Sequence, residues 1–222
     1  MNGYSIRKAS IADIPFLVTV VVAAEKSGSD KLSYSTLFDL AEQQAKDFIA
    51  AMFEEEIDGC EFSVSSFLIV EYAGEPVAAF GGWIETLNED ELPSKMLKSN
   101  LISYTFGRAA MESLKSKAAF ISELVSERES LTLQLEYLYV VDEHRGKGLS
   151  NRLIEALEQT AFLQYPSVTK AQVQVYGNNT NAINVYKKNG FQIKEKYKTD
   201  NAEVLNLLPY NEKYIMEKLF KN

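Results

Sequence analysis

The segment LTLQLEYLYVV, residues 131–141, constrains the fold more than any other part of the chain. Apolar and aromatic side chains occupy both of its alternating faces, so as a strand it must be covered on both sides and lie near the middle of a sheet. Behind it come the turn EHRGKGLSNR (143–152), a run with Leu149, Leu153, Ile154, Leu157 and Ala161 at helical spacing, and a second strand pattern, AQVQVY (171–176). The result is a strand–turn–helix–strand unit. A helix that begins directly after a glycine-bearing turn aims unsatisfied backbone N–H groups outward, which is a place to hold an anion.

The rest of the chain supplies partners for this unit. YSIRKA (Tyr4–Ala9) alternates as a strand, and Ser10 or Asp13 can cap a helix running through Phe16 and Val20 toward Lys26. A second helix is expected over Thr36–Glu55, from Leu37, Leu40, Ala41, Ala45, Phe48 and Met52. Ser65–Glu85 reads as a hairpin turning at Ala73-Gly74-Glu75-Pro76. From Thr86 to Ser130 strand periodicity stops and helical pairs such as Leu97/Leu101 and Phe120/Leu124 take over, so 86–130 reads as a helical insertion between strands. A helix over Ala182–Lys188 ending at Gly190, then strands at Phe191–Tyr197 and Tyr214–Phe220, close the pattern. A chain of 222 residues fits one core, so residues 1–222 are expected to form a single domain.

Composition removes several function classes. Lys and Arg total 23 against 31 Asp and Glu, a formal charge of −8, which argues against a nucleic-acid partner because such binding rests on excess positive charge. One cysteine and one histidine exclude an internal disulfide and a zinc site of the usual Cys/His type, and no metal is expected. FLVTVVVAA (Phe16–Ala24) imitates a leader or membrane span, but Asp13 and Pro15 precede it and it falls far short of the roughly 20 residues a span needs. A buried helix, no membrane partner and a cytoplasmic location are expected.

The turn fails two familiar phosphate patterns. Gly146-Lys147-Gly148 lacks the spacing and the hydroxyl of a P-loop, and Asn151 stands where the dinucleotide fingerprint needs a third small residue. Arg145-Gly146-Lys147-Gly148-Leu149-Ser150 resembles instead the pyrophosphate loop of the GCN5-related N-acetyltransferase superfamily, with Ser150 in place of that loop's final Gly or Ala. A second stretch, Asn178 to Phe191, is similar to the superfamily's later motif at Asn179, Ala182, Tyr186, Gly190 and Phe191.

The resemblance implies an α/β (α+β) fold: a mixed, mostly antiparallel twisted sheet of six to seven strands flanked by helices, with two central parallel strands splayed apart. It implies acetyl-coenzyme A as cosubstrate and direct transfer of the acetyl group to an amine. The backbone of Leu138, Tyr139 and Val140 would pair with the pantetheine amides. The N–H groups from Arg145 through Gly146, Lys147, Gly148 and Leu149 to Ser150 would hold the diphosphate, with Asn179, Ala182 and Tyr186 also at the cofactor. Tyr186 matches the position that often protonates the departing thiolate.

Glu136 is the candidate base for the amine. Strict strand alternation would put Glu136, Leu138 and Val140 on one face; an ordinary polar sheet residue, or a water relay, competes with it for this role. Cys60 reads as incidental, His144 as a surface residue near the loop, and Tyr137, Tyr139 and Tyr176 as sheet packing. The acceptor is a small-molecule or peptide amine, the protein a monomer or homodimer, and the insertion 86–130 shapes either the acceptor side or a dimer contact. A coenzyme A-binding sensor or assembly module without turnover remains the alternative on the same fold, and a phosphate-binding turn with no coenzyme A a third reading.

Overall fold

In a computed structural model that describes residues 3–88 and 90–220, seven strands form one sheet flanked by helices. The elements in chain order are β1 (Tyr4–Lys8), α1 (Ile14–Lys26), α2 (Ser33–Phe38), α3 (Glu42–Glu54), β2 (Phe67–Tyr72), β3 (Glu75–Glu85) and α4 (Ser94–Ile121). There follow β4 (Thr132–Val140), α5 (Leu149–Gln164), β5 (Lys170–Tyr176), α6 (Thr180–Lys188), β6 (Gln192–Lys198), α7 (Val204–Leu207) and β7 (Glu212–Leu219). The spatial order is β1-β2-β3-β4-β5-β7-β6, and only β4 and β5 run parallel. The strand at 131–141 is the middle one of the seven.

The start of α1 shows how local chemistry places an element. Pro15 sits in the first turn, where a missing N–H costs nothing, and Asp13 accepts hydrogen bonds from the Ser10 amide at 2.8 Å and from Arg7 at 2.7 and 2.8 Å. The helix then buries Leu17, Val20 and Val21 completely, so the apolar run at 16–24 is core. No described helix is long and apolar enough to cross a membrane.

One expected element differs. The helix expected over 36–55 is broken into α2 and α3 because Asp39 adopts a left-handed φ of 53° and ends the first of them. A short polar residue tolerates that conformation without glycine. The insertion is one long helix, α4, kinked where Gly107 leaves helical geometry (φ 75°, ψ 174°).

The sheet is covered on both faces. One face packs α1–α4 through Leu17, Ile49, Phe53, Phe62, Phe67 and Phe106. The other packs α5 and α6 through Phe80, Leu135, Leu153, Ile154, Val173 and Phe191. Each fully buried side chain of this kind contributes roughly 1.5–3 kcal/mol.

Candidate active site

The parallel pair β4–β5 is joined only at Leu133↔Ala171, Gln134↔Gln172 and Leu135↔Val173, after which the strands part. The cause lies in β4. Its register with β3 slips between Ala79↔Tyr139 and Gly81↔Glu136, so two residues of β4 oppose one of β3, and Tyr137 takes the left-handed φ of 64°. An extra residue bends a strand and increases its twist; a tyrosine in this conformation stores of order 1–3 kcal/mol that surrounding packing must hold.

The bulge corrects the expected face of Glu136. Leu133 and Leu135 pack toward α5, and beyond the slip Leu138 and Val140 do so too, while Tyr137 packs toward α1. Glu136 follows Leu135 by alternation and therefore shares the side of Tyr137, opposite Leu138 and Val140. The carboxylate and the strand's apolar side chains stand on opposite faces of the same gap.

A cavity of about 600 Å³ passes through that gap. Glu136, Tyr137 and Leu138 line it from β4, Gln174, Val175 and Tyr176 from the end of β5 that has parted from β4, and Tyr186 from α6. Tyr186 belongs to the α5–α6 core, 5.8 Å from the ring of Phe191 and 6.4 Å from that of Phe80. Burial holds its phenol well above its ordinary pKa, and the nearby charge of Glu136 adds to the rise. A phenol from one face and a carboxylate from the other thus meet one space.

Glu136 does not stand alone. The Arg128 guanidinium donates to Glu61 at 3.0 and 3.1 Å, to Ser94 Oγ at 2.7 Å and to Glu136, while Lys98 Nζ lies 2.9 Å from Glu61. Trp83 covers Arg128 at 4.8 Å, and Tyr34 and Phe62 cover Lys98. Burial opposes ionisation of Glu61, but Arg128 and Lys98 overcome it and hold that carboxyl well below the usual range. Glu136 goes the other way. Burial raises it against the pull of Arg128, and the charge of Glu61 raises it further, because Arg128 already faces Glu61 with two nitrogens.

The glycine turn lies between β4 and α5. Gly146 (φ 73°) and Gly148 (φ 75°) both hold left-handed conformations, and a Cβ at either would meet nothing within 4 Å. Glycine is therefore required by backbone shape, with open space over the amides that lead into α5. Arg145 is tied back: its Nε donates to the Val140 carbonyl at 3.1 Å and it pairs with Asp142 at 2.7 Å. Lys147 lies over the Tyr4 ring at 5.9 Å, and Leu149, the first residue of α5, is buried in its core, with Ser150 next in the first turn. Asn179 caps α6, its Oδ1 accepting from the Ala182 amide at 3.1 Å, and both residues line the cavity. His144 is bonded to the Tyr4 hydroxyl at 2.9 Å, and Cys60 is buried, its thiol pushed up by burial.

The structure therefore brings Glu136, Leu138, Asn179, Ala182 and Tyr186 to one cavity and sets the turn at 145–150 apart from it, at the end of β4. Tyr137 and Tyr176 line the cavity as well, while Tyr139 packs on Phe16. Sequence reading missed Glu25, Glu61, Lys98, Arg128 and Lys213, which come from five separate segments with no shared spacing. α4 forms one wall, through Lys98, Ile102 and Met111 among others. Among the described residues no group of His, Cys, Asp and Glu is placed to hold a metal ion.

Residues 34–191 match the model of the acetyltransferase (GNAT) family, and the chain belongs to that family. No curated protein matches it. Among solved structures, an agmatine N-acetyltransferase is 15% identical with a TM-score of 0.61, over 99% of this chain and 100% of that one. An N-acetyltransferase from Staphylococcus aureus Mu50 is 16% identical with a TM-score of 0.60, over 96% and 99% of the two chains. The protein yncA from Salmonella typhimurium, solved with its cofactor acetyl-CoA, is 12% identical with a TM-score of 0.58, over 100% and 96%. At these identities the likeness is one of fold.

Proposed function

We propose that this chain transfers the acetyl group of acetyl-CoA directly to a primary amine. The observation that carries the reading is the cavity through the β4–β5 gap, with Glu136 on one face of the sheet and Tyr186 on the other. The residues present suit the carrier. From Glu136 onward β4 has no ladder to β5, so main-chain groups of Leu138 are available to its amide arm, whereas those of Tyr139 are turned toward Ala79 of β3. The Val140 carbonyl is already used by Arg145. The N–H groups of residues 146–150 at the start of α5 suit a diphosphate, the Arg145 N–H being already used by the Asp142 carbonyl at 3.1 Å, and Asn179 and Ala182 flank the arm.

The carrier supplies an activated acetyl thioester; the chain supplies proton management. An acceptor ammonium has an ordinary pKa of about 10.4 and must lose a proton before its nitrogen can attack. Glu136 takes that proton, and its raised pKa suits it to the task, since a base works best when its pKa approaches the working pH. Tyr186 keeps its proton at Oη because burial disfavours the phenolate, and so serves as a donor to the departing group. The sheet keeps acid and base apart, which stops them from neutralising each other.

The test is an assay of thiol release with acetyl-CoA across a panel of primary amines, with the product identified by mass. Release that depends on an amine is expected. Acetyl-CoA binding with no release from any amine would leave a binding module on the same fold, and no thermal shift with acetyl-CoA would remove the cofactor altogether.

A further inference from the structure

The charges around the cavity sort into matched and unmatched groups. Glu61 and Glu136 face Arg128 and Lys98, and Lys95 pairs with Glu127. Glu25 uses its two carboxylate oxygens on the hydroxyls of Ser33 and Tyr137. Lys213 is different. It lines the cavity half-buried, and among the described residues it makes neither an ion pair nor a hydrogen bond; the ring of Tyr176, 5.2 Å away, is its neighbour. Burial pulls its ammonium below the ordinary value; the charges of Glu25 and Glu136 act against this, those of Lys98 and Arg128 with it, and the ammonium is not restored.

Its position is informative. Lys213 opens β7 opposite Tyr176, at the splayed end of β5, while Glu136 stands on β4 across the gap. An ammonium shielded from water without an anion is unfavourable, and a ligand that brings the anion removes the penalty. A ligand with a second cation there would be repelled.

Resting on the reading of the chain as an amine acetyltransferase, we propose that its acceptor is a small amine that also carries a carboxylate, which Lys213 Nζ binds while the amine points to Glu136. Selectivity against the decarboxylated amine follows from the same side chain.

Matched pairs that differ only in the carboxylate test this: lysine and cadaverine, ornithine and putrescine, arginine and agmatine. The carboxylated member of at least one pair should be favoured in kcat/KM by roughly 10- to 100-fold, the usual worth of a charge-assisted contact. Lys213→Met should abolish that preference by raising KM for the carboxylated member alone, and Lys213→Arg should keep it. A preference for the decarboxylated members, or a ratio unchanged in Lys213→Met, overturns the inference and leaves amine acetylation standing. If no pair is turned over, calorimetry of the three amino acids decides the inference: binding lost in Lys213→Met supports the carboxylate site, while equal or no binding overturns it, and amine acetylation itself falls only if the wider panel also releases no thiol.

Discussion

The glycine turn at 145–150 lies beyond the end of β4 and the charge network around Glu136 lies beside the cavity, and the two are built on opposite plans. The turn is six consecutive residues, mostly exposed, whose useful groups are backbone amides held by two left-handed glycines. The network draws Glu61, Arg128 and Glu136 from three separate segments and Ser94 and Lys98 from α4, and its useful groups are side chains largely shielded from solvent. A backbone site tolerates side-chain change wherever φ is respected. A buried side-chain site does not, because each ion relies on a partner contributed from elsewhere in the chain.

The largest expected effect tests that dependence. Arg128→Met strands Glu136, leaves Glu61 with Lys98 alone, and should lower stability by about 3–5 kcal/mol in denaturant titration; a loss below about 1 kcal/mol would mean that the network is wetter than its burial indicates. Next comes Gly148→Trp, which puts bulk and a strained φ into the turn. It should remove the thermal stabilisation by acetyl-CoA, about 2.7 kcal/mol at 100 times its dissociation constant, and an undiminished shift would place the diphosphate elsewhere. Tyr186→Phe should then slow the chemical step by about 10- to 100-fold, or 1.4–2.7 kcal/mol, with cofactor affinity unchanged. Equal single-turnover rates would reduce Tyr186 to packing.

The smallest effect calibrates the comparison with an ion pair at the edge of solvent. Hydrogen bonds from Arg7 outweigh burial and hold Asp13 at about 2, against an ordinary 3.8. A depressed carboxyl contributes stability that is present above its unfolded pKa and is lost as pH falls through the folded value. Asp13→Asn should therefore cost about 1–2 kcal/mol at pH 7, after allowance for the half-exposed Arg7. The gap between the two proteins should close between about pH 4 and pH 2; a constant gap would assign the loss to packing at the start of α1.

The same contrast explains what could be read in advance. The central strand, the turn and the stretch from Asn179 to Phe191 were legible because each depends on spacing within a few residues. The positions of the remaining strands along the chain followed from alternation and turn signals. Two departures had a common origin. Asp39 and Tyr137 take left-handed conformations without being glycine, so nothing marked the break between α2 and α3 or the slip in β4. The slip then reversed the expected face of Glu136. Glu25, Lys98, Arg128 and Lys213 were invisible for another reason: a lone charged residue acquires its role from neighbours that only the folded chain assembles.

The surplus residue in β4 also limits how the gene for such a chain can drift. Point substitutions around residues 135–138 alter one contact apiece, but loss of a single codon there would restore an unbroken pleat. Downstream side chains would keep their faces, but β4 would lose the bend that parts it from β5, and the space between the two strands would close. Length in this short window is therefore under tighter constraint than identity.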